Sequence, residues 1–314
     1  MDDKISKAYI GGFSYALGEN EFGLDEVGEL KGNEELIGAL RNGGFDKVRE
    51  SNYSVLELLG RSITKFLDKN LVDPSSIDAI IIATSSLGFT THLIHSELSE
   101  FLIQMQLKNA YPILSSLSFC GNLLPAINSA RSYVTSGIFK NVLVVVGDII
   151  PKNTSKLTPP SMAIGSDASA CCLISKKPIF NLEIERVCFA IDAKAGLMDP
   201  DKDFMNYTKS VGSGIKHTIK ELFNHSSIKR EELTQVFTNN YSNNTCKSFL
   251  RLASVPDGLF YDKNISRFGH AGATDILINI SDYLSEGKTN DKNSFLLLCT
   301  GPFMWSSTLI NQLK

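Results

Sequence analysis

Apolar positions along this chain alternate between two spacings. Leu123, Leu124, Ile127, Ala130 and Val134 recur at the period of one helix face, and Gly137 supplies a stop. The next run, Lys140–Asp148, is apolar from Val142 to Val146 and reads as a buried strand. Upstream, Ser62-Ile63-Thr64-Lys65-Phe66-Leu67 begins a helix that leads through the polar turn Val72-Asp73-Pro74-Ser75-Ser76 into the strand Ile77–Thr84. The same order returns later: Thr218-Ile219-Lys220-Glu221-Leu222-Phe223, the turn Ile228-Lys229-Arg230-Glu231-Glu232, then Leu233–Thr238. Val142–Gly147 also has a counterpart, Leu296–Gly301. The offset is about 155 residues in both comparisons, which predicts a duplicated unit. Helical patterns alternating with apolar strands predict an α/β fold whose halves each hold a mainly parallel sheet. The halves are residues 1–176 and 177–314, joined at the polar break Ser175-Lys176-Lys177-Pro178.

Composition narrows the function classes. A hydrophobic fraction of 43% and a charged fraction of 21% over 314 residues are those of a globular protein with a large core. A net charge of -3 gives no basic field for nucleic acid or anionic membrane. Met1-Asp2-Asp3-Lys4 is acidic with no apolar stretch behind it, so no signal peptide is expected, and Ile80–Ala83 and Val142–Val146 are too short to span a bilayer. The six cysteines form no C-x-x-C pair and no metal-ligand spacing with the five histidines, so they read as reduced thiols of a cytoplasmic protein.

Cys120 is the one thiol whose place suggests chemistry. It stands where a strand-like run gives way to the helix of Leu123–Val134, against the free N–H groups and positive dipole end that favour a thiolate. Strand, cysteine, helix, strand is the layout of a positioned nucleophile; a buried structural cysteine gives the same local pattern.

The order of several segments resembles the β-ketoacyl-acyl-carrier-protein synthase III branch of the thiolase superfamily over almost the whole chain. Phe119-Cys120-Gly121-Asn122-Leu123 is similar to its cysteine elbow, and Ile164-Gly165-Ser166-Asp167-Ala168-Ser169-Ala170 to its Gly-Asp-Gly-Ala segment. Arg41-Asn42-Gly43-Gly44 with Arg49 resembles its Arg-Thr-Gly-Ile signature, and Thr300-Gly301-Pro302-Phe303-Met304-Trp305 its C-terminal turn. The resemblance implies two pseudo-symmetric halves in an α-β-α-β-α layering. It implies a Cys120 acyl-enzyme formed from a thioester, with the N–H groups of Cys120 and Gly301 as oxyanion donors. A turn glycine needing positive φ is the plain alternative for Gly301.

Two positions depart from the condensing members. Phe237-Thr238-Asn239-Asn240-Tyr241-Ser242 has Asn239 where they carry a histidine, and Gly269-His270-Ala271-Gly272 has His270 where they carry an asparagine. Gly269-His270 followed by Asp275 is similar to an acyltransferase subgroup using cysteine, histidine and aspartate. By that resemblance Cys120 is nucleophile, His270 base and Asp275 its orienting group. Asp275 as an N-cap of the helix Ile276–Leu284, and His270 as an ordinary loop histidine, stay open alternatives. Asn239 or Asn240 taking part of the lost histidine's role would make a condensing enzyme instead. A non-catalytic subunit of a heterodimer is the reading from another class. A degradative thiolase is disfavoured, because Cys299 falls on an apolar strand.

His92 and His95 read as a polar loop or helix start, His217 and His225 as surface, and Asp148 and Asp167 as polar turns after strands. Coenzyme A-using relatives stack adenine between a Trp and the Arg of the signature; here Arg41 is present but the Trp position is Ile37. That favours an acyl carrier protein donor over coenzyme A. Lys216 with Lys220 and Lys247 with Arg251, each pair one helical turn apart, are the candidate docking residues for an acidic carrier; a solvated helix face explains them equally. No tightly bound cofactor or metal is expected, and a homodimer, or a heterodimer with a homologous synthase, is.

Overall fold

The apolar runs of the sequence become the inner strands of one nine-stranded sheet. The computed structural model describes residues 7–70, 72–87, 94–158, 162–200, 202–287 and 293–313. Its elements begin with β1 (Tyr9–Leu17), β2 (Asn20–Gly23), α1 (Glu34–Asn42), β3 (Lys47–Glu50) and α2 (Val55–Asn70). They continue through β4 (Ala79–Ala83), α3 (Ile94–Gln104), β5 (Tyr111–Ser115), α4 (Leu123–Ser136) and β6 (Asn141–Asp148). Next come β7 (Leu157–Thr158), β8 (Ala163–Ile164), β9 (Ala168–Ser175), β10 (Leu182–Ile191) and α5 (Phe204–Asn224). The last are β11 (Gln235–Thr238), α6 (Asn243–Leu252), α7 (Lys263–Phe268), α8 (Asp275–Ser285), β12 (Ser294–Thr300) and β13 (Met304–Gln312).

The sheet order is β11-β12-β13-β10-β1-β9-β6-β4-β5. Read outward from the β1–β10 pair it is a mirror: β9, β6 and β4 on one side match β13, β12 and β11 on the other. The expected join at 175–178 falls between β9 and β10. The expectation of a mainly parallel sheet holds only for the outer strands, where β4 pairs parallel with β5 and β6, and β11 with β12. From β6 through β9, β1, β10 and β13 to β12 every pairing is antiparallel. Short connections such as 301–303 suffice for antiparallel neighbours, whereas parallel ones need a helical crossover.

Strand alternation divides the core. On β6, Val142, Val144 and Val146 face a central cluster with α4 and α8, while Leu143 and Val145 face α2 and α3. On β12, Leu297 and Cys299 face the central helices, while Leu296 and Leu298 face the cluster of α1, α5, α6 and Trp305. The layers are therefore helix, sheet, helix, sheet, helix, with α4 and α8 between the two sheet halves. Trp305 lies so close to α5 that a Cβ on Gly214 would stand 2.1 Å from its ring, which only glycine allows. Among the described residues, no helix is long and apolar enough to cross a membrane.

Candidate active site

Three segments converge between the sheet halves. The first is the turn before α4. Phe119 has φ 49°, the left-handed region that a large side chain rarely occupies, and this bend presents Cys120 at the positive end of α4. Asn122 holds the bend: its Oδ1 accepts from Ser118 N–H at 2.8 Å, and its Nδ2 donates to Ser85 Oγ at 3.1 Å. Cys120 is half-buried, and α4 ends at Gly137 with φ 81°.

The second segment is the turn after α7. Gly269 takes φ +70°, and a Cβ there would meet the Ile164 carbonyl at 2.7 Å. His270 follows with its backbone clamped: its N–H donates to Ile164 O at 2.9 Å, and its carbonyl accepts from Ser166 N–H at 2.8 Å. The 164–170 segment is therefore a brace for His270. Ser166 Oγ also bonds the Phe268 carbonyl and accepts from Arg49 N–H, while Asp167 accepts from the N–H groups of Ser51 and Ile150. Asp148 likewise binds Thr84, Ser85 and Ser86 and serves the strand ends.

On this frame His270 Nε2 lies 3.2 Å from Cys120 Sγ, and Nδ1 lies 2.6 Å from Asp275 Oδ2. Asp275 is wholly buried at the first position of α8, and its carboxylate turns outward rather than capping the helix. Oδ1 accepts from Ala271 N–H at 2.7 Å, and Oδ2 from Asn240 N–H at 2.8 Å. Burial alone would lower the proton affinity of the imidazole, but Asp275 and Cys120 outweigh it and push His270 up to about 10. The Tyr241 ring packs against the imidazole at a 35° tilt, centroids 4.9 Å apart, and burial pushes its phenol well up.

Asn239 sits in the third segment, after β11, and its amide is spent on backbone. Nδ2 donates to Cys120 O at 3.1 Å and Gly272 O at 2.9 Å; Oδ1 accepts from Thr300 N–H at 2.9 Å and Thr300 Oγ1 at 3.3 Å. Gly301 abuts the cysteine turn, 2.7 Å from the Ser118 carbonyl at its would-be Cβ, yet its N–H already donates to Met304 O at 2.7 Å. As an oxyanion donor it has to share that hydrogen, and Pro302 beyond it has none to offer. Cys299 is buried on β12, its thiol pushed up to about 12 by burial, and makes no second nucleophile.

A cavity of about 540 Å³ opens beside this centre, lined by its neighbours Tyr241, Thr300 and Gly301, by Tyr207, and by Asn42 and Gly43 at the end of α1, and not by Cys120, His270 or Asp275 themselves. Arg41 instead forms an ion pair with Asp25, and Ile37 packs in the core. None of Lys216, Lys220, Lys247 and Arg251 lines this cavity: Lys216 and Lys220 are exposed in the second half of α5, Lys247 is half-buried, and Arg251 pairs with Asp257 at 2.8 Å. His92 lies outside the described residues. His95 and His225 are exposed, and His217 borders a separate cavity of about 500 Å³ beside Ser118 and Gly121. Among the described residues no group of three or more His, Cys, Asp or Glu side chains is placed to hold a metal ion. Sequence reasoning had no signal for the left-handed Phe119, for the packing of Tyr241 against His270, or for Asn240 as a backbone donor to Asp275.

No family model matches the chain. It is 17% identical over 276 residues to the β-ketoacyl-[acyl-carrier-protein] synthase III of Chlamydia muridarum, covering 81% of this chain and 83% of that one. With the synthase III of Staphylococcus haemolyticus it shares 22% over 254 residues, 76% of this chain and 77% of that one. Among solved structures, 3-oxoacyl-[acyl-carrier-protein] synthase III from Aquifex aeolicus superposes with a TM-score of 0.78 at 16% identity, covering 96% and 99% of the two chains. The acyltransferase ChlB3 superposes with a TM-score of 0.82 at 13% identity, covering 98% of each chain.

Proposed function

Taking the chain as a synthase III-like member of the thiolase superfamily, we propose that it is an acyltransferase working through a Cys120 acyl-enzyme. The observation that carries this reading is the line from Cys120 Sγ through His270 to Asp275, at 3.2 Å and 2.6 Å. Cys120 gives its proton to His270 and attacks the thioester carbonyl. The tetrahedral intermediate collapses, and the departing thiol takes the proton from His270 Nε2. Acylation removes the thiolate charge that helped hold a proton on the ring, so neutral His270 then serves as base. It takes the proton of an incoming hydroxyl or amine, which bonds to the acyl carbon while the Cys120–acyl bond breaks.

The rival within enzymes, carbon–carbon condensation with carbon dioxide release, needs donors free to hold an enolate oxygen. Asn239 has none left, since both its N–H groups are given to backbone carbonyls, whereas Asn240 Nδ2 is buried without a hydrogen-bond partner, so this rival narrows to Asn240. The assembled triad likewise speaks against a non-catalytic subunit. The donor is a carrier-protein phosphopantetheine or coenzyme A thioester entering by the cavity between α1, α5 and α6. Dimerisation is proposed through β5, an edge strand whose Tyr111 and Leu114 are 64% and 48% exposed, beside exposed Leu117 and Phe119.

Intact-protein mass spectrometry after incubation with acyl and malonyl thioesters, on coenzyme A and on carrier protein, tests the reading. Wild type gains an acyl mass and Cys120→Ala does not. Transfer that survives in Cys120→Ala would sink it.

A further inference from the structure

Helix α8 lies between the two sheet halves, where a helix is expected to be apolar all round. Instead Asp275, Asn279 and Asp282 run along it at helical spacing, the first two wholly buried. Asn279 Nδ2 donates to Asn240 Oδ1 at 2.9 Å and to Thr238 O at 3.3 Å, which pins the turn after β11 onto α8. Asn279 Oδ1 accepts from Asn264 Nδ2 at 2.9 Å. Asn264, buried on α7, donates also to Asp282 Oδ2 at 2.9 Å and accepts from Arg267 Nη1 at 2.9 Å. Arg267 closes the far end, donating to Asp282 Oδ2 at 2.5 Å and to the Tyr15 hydroxyl at 2.6 Å. Tyr15 stands on β1 and donates to Asp282 Oδ1 at 2.8 Å, so the line is tied to the opening strand of the chain.

We propose that this line of asparagines is a positioning device for the triad carboxylate. Asn264 holds Asn279, Asn279 holds the Asn240 side chain and the Thr238 carbonyl, and the Asn240 N–H donates to Asp275 Oδ2 beside His270. The inference deepens the proposed function and rests on its reading of the His270–Asp275 pair. The physical ground is that a buried side chain is held by the few bonds it makes: Asn240 Nδ2 has no partner, so the Oδ1 bond to Asn279 is the one that ties this side chain to α8. Asn279→Leu would strand Asn240 Oδ1 and one N–H of Asn264, both buried. The turn would lose its second hold on α8, and the N–H bond to Asp275 would lengthen or bend. The line touches no reacting atom, so these are positioning residues, and their effect passes through the orientation of one carboxylate.

The readout is the ionisation of His270, followed by NMR of ¹⁵N-histidine-labelled protein and assigned by its loss in His270→Gln. The other ionisable groups around the pair are Cys120, Tyr241, Tyr207, Cys246, Cys299 and, beyond Gly272, Asp148. Burial pushes the Tyr207 and Tyr241 phenols and the Cys246 and Cys299 thiols up. In wild type His270 should titrate well above its ordinary 6.5, with Asp275 and Cys120 holding the proton. In Asn279→Leu it should fall by roughly one pH unit, with kcat down roughly tenfold and KM nearly unchanged. Asn279→Ser, which keeps a hydroxyl, should recover part of both. Arg267→Met, at the half-exposed end, is the second variant should Asn279→Leu not fold. Removing a positive charge would by itself raise His270, so a fall in Arg267→Met reads the network and not the field. A folded Asn279→Leu with the wild-type inflection, or a rise in Arg267→Met, overturns the proposal. A wild-type His270 titrating near its ordinary 6.5 overturns the triad reading beneath it.

Discussion

Exchanging Asp275 for asparagine keeps the side-chain volume and replaces one acceptor oxygen by an NH2 group. The carboxylate takes three donors: Ala271 N–H at 2.7 Å on Oδ1, with Asn240 N–H at 2.8 Å and His270 Nδ1 at 2.6 Å on Oδ2. If the amide oxygen stays at Ala271, the NH2 faces Asn240 N–H and forces the imidazole into its other tautomer. Its proton then sits on Nε2, toward Cys120, with no lone pair for an incoming nucleophile. If the amide is reversed, the tautomer survives but Ala271 N–H is stranded. Either orientation leaves a buried backbone donor unpaired, costing about 1–3 kcal/mol, and either removes the charge that lifts His270. Asp275→Asn should therefore fold with lowered stability and lose roughly 10²–10⁴-fold in acyl transfer. Single-turnover mass spectrometry, with the thioester that acylates Cys120, measures formation and decay of the acyl-enzyme separately. A folded Asp275→Asn within about tenfold of the wild-type rate refutes the reasoning.

Asn239→Ala strands the Cys120 and Gly272 carbonyls and the Thr300 N–H, so it should lose about 2–5 kcal/mol in denaturant unfolding and misplace the thiol. Asn239→His should not create malonyl decarboxylation, because an imidazole there inherits the same carbonyls; released carbon dioxide from that variant would show otherwise. The folded His270 value of about 10 lies above the unfolded 6.5, so its stabilisation is complete below about pH 6.5 and disappears as pH rises through 10. Unfolding free energies of wild type and His270→Gln should accordingly converge toward pH 10, and convergence already at pH 7 contradicts the raised value. Leu114→Lys on the exposed edge of β5 should shift the protein to monomer in light scattering, and an unchanged mass removes that edge from the proposed interface.

Much of this architecture is written locally. The helical spacing from Leu123 to Val134 and its glycine stop delimit α4, and the apolar runs at 142–146 and 296–299 fall within β6 and β12. What spacing does not carry is strand direction: β9 is as apolar as β6, yet it runs antiparallel to it, the described residues between them holding β7 and β8 and no crossover helix. Cys120, His270 and Asp275 stood out from the order of segments, and a contact spanning 150 residues then needed coordinates. Asn239 shows the limit, since one sequence letter serves equally for a donor to substrate and for a strut between carbonyls. Lys216, Lys220, Lys247 and Arg251 show another: helical spacing pairs residues on a face without telling which face borders a cavity.

Histidine and asparagine each suit the place they occupy here and not the other's. Around 239 the frame presents two carbonyls, of Cys120 and Gly272, and one amide, of Thr300. A carboxamide with two N–H donors and one oxygen matches that set, whereas an imidazole offers at most one neutral donor and one acceptor on opposite edges. Around 270 the frame presents a carboxylate on one side and a thiol on the other, a span that two ring nitrogens bridge and a shorter amide does not. The difference between the two frames traces to Asp275: at the head of α8, its carboxylate gives a base at 270 its orienting partner. The proposed mechanism with the base at 270 therefore rests on one aspartate at the start of one helix, and the asparagine at 239 holds the Cys120 backbone in place.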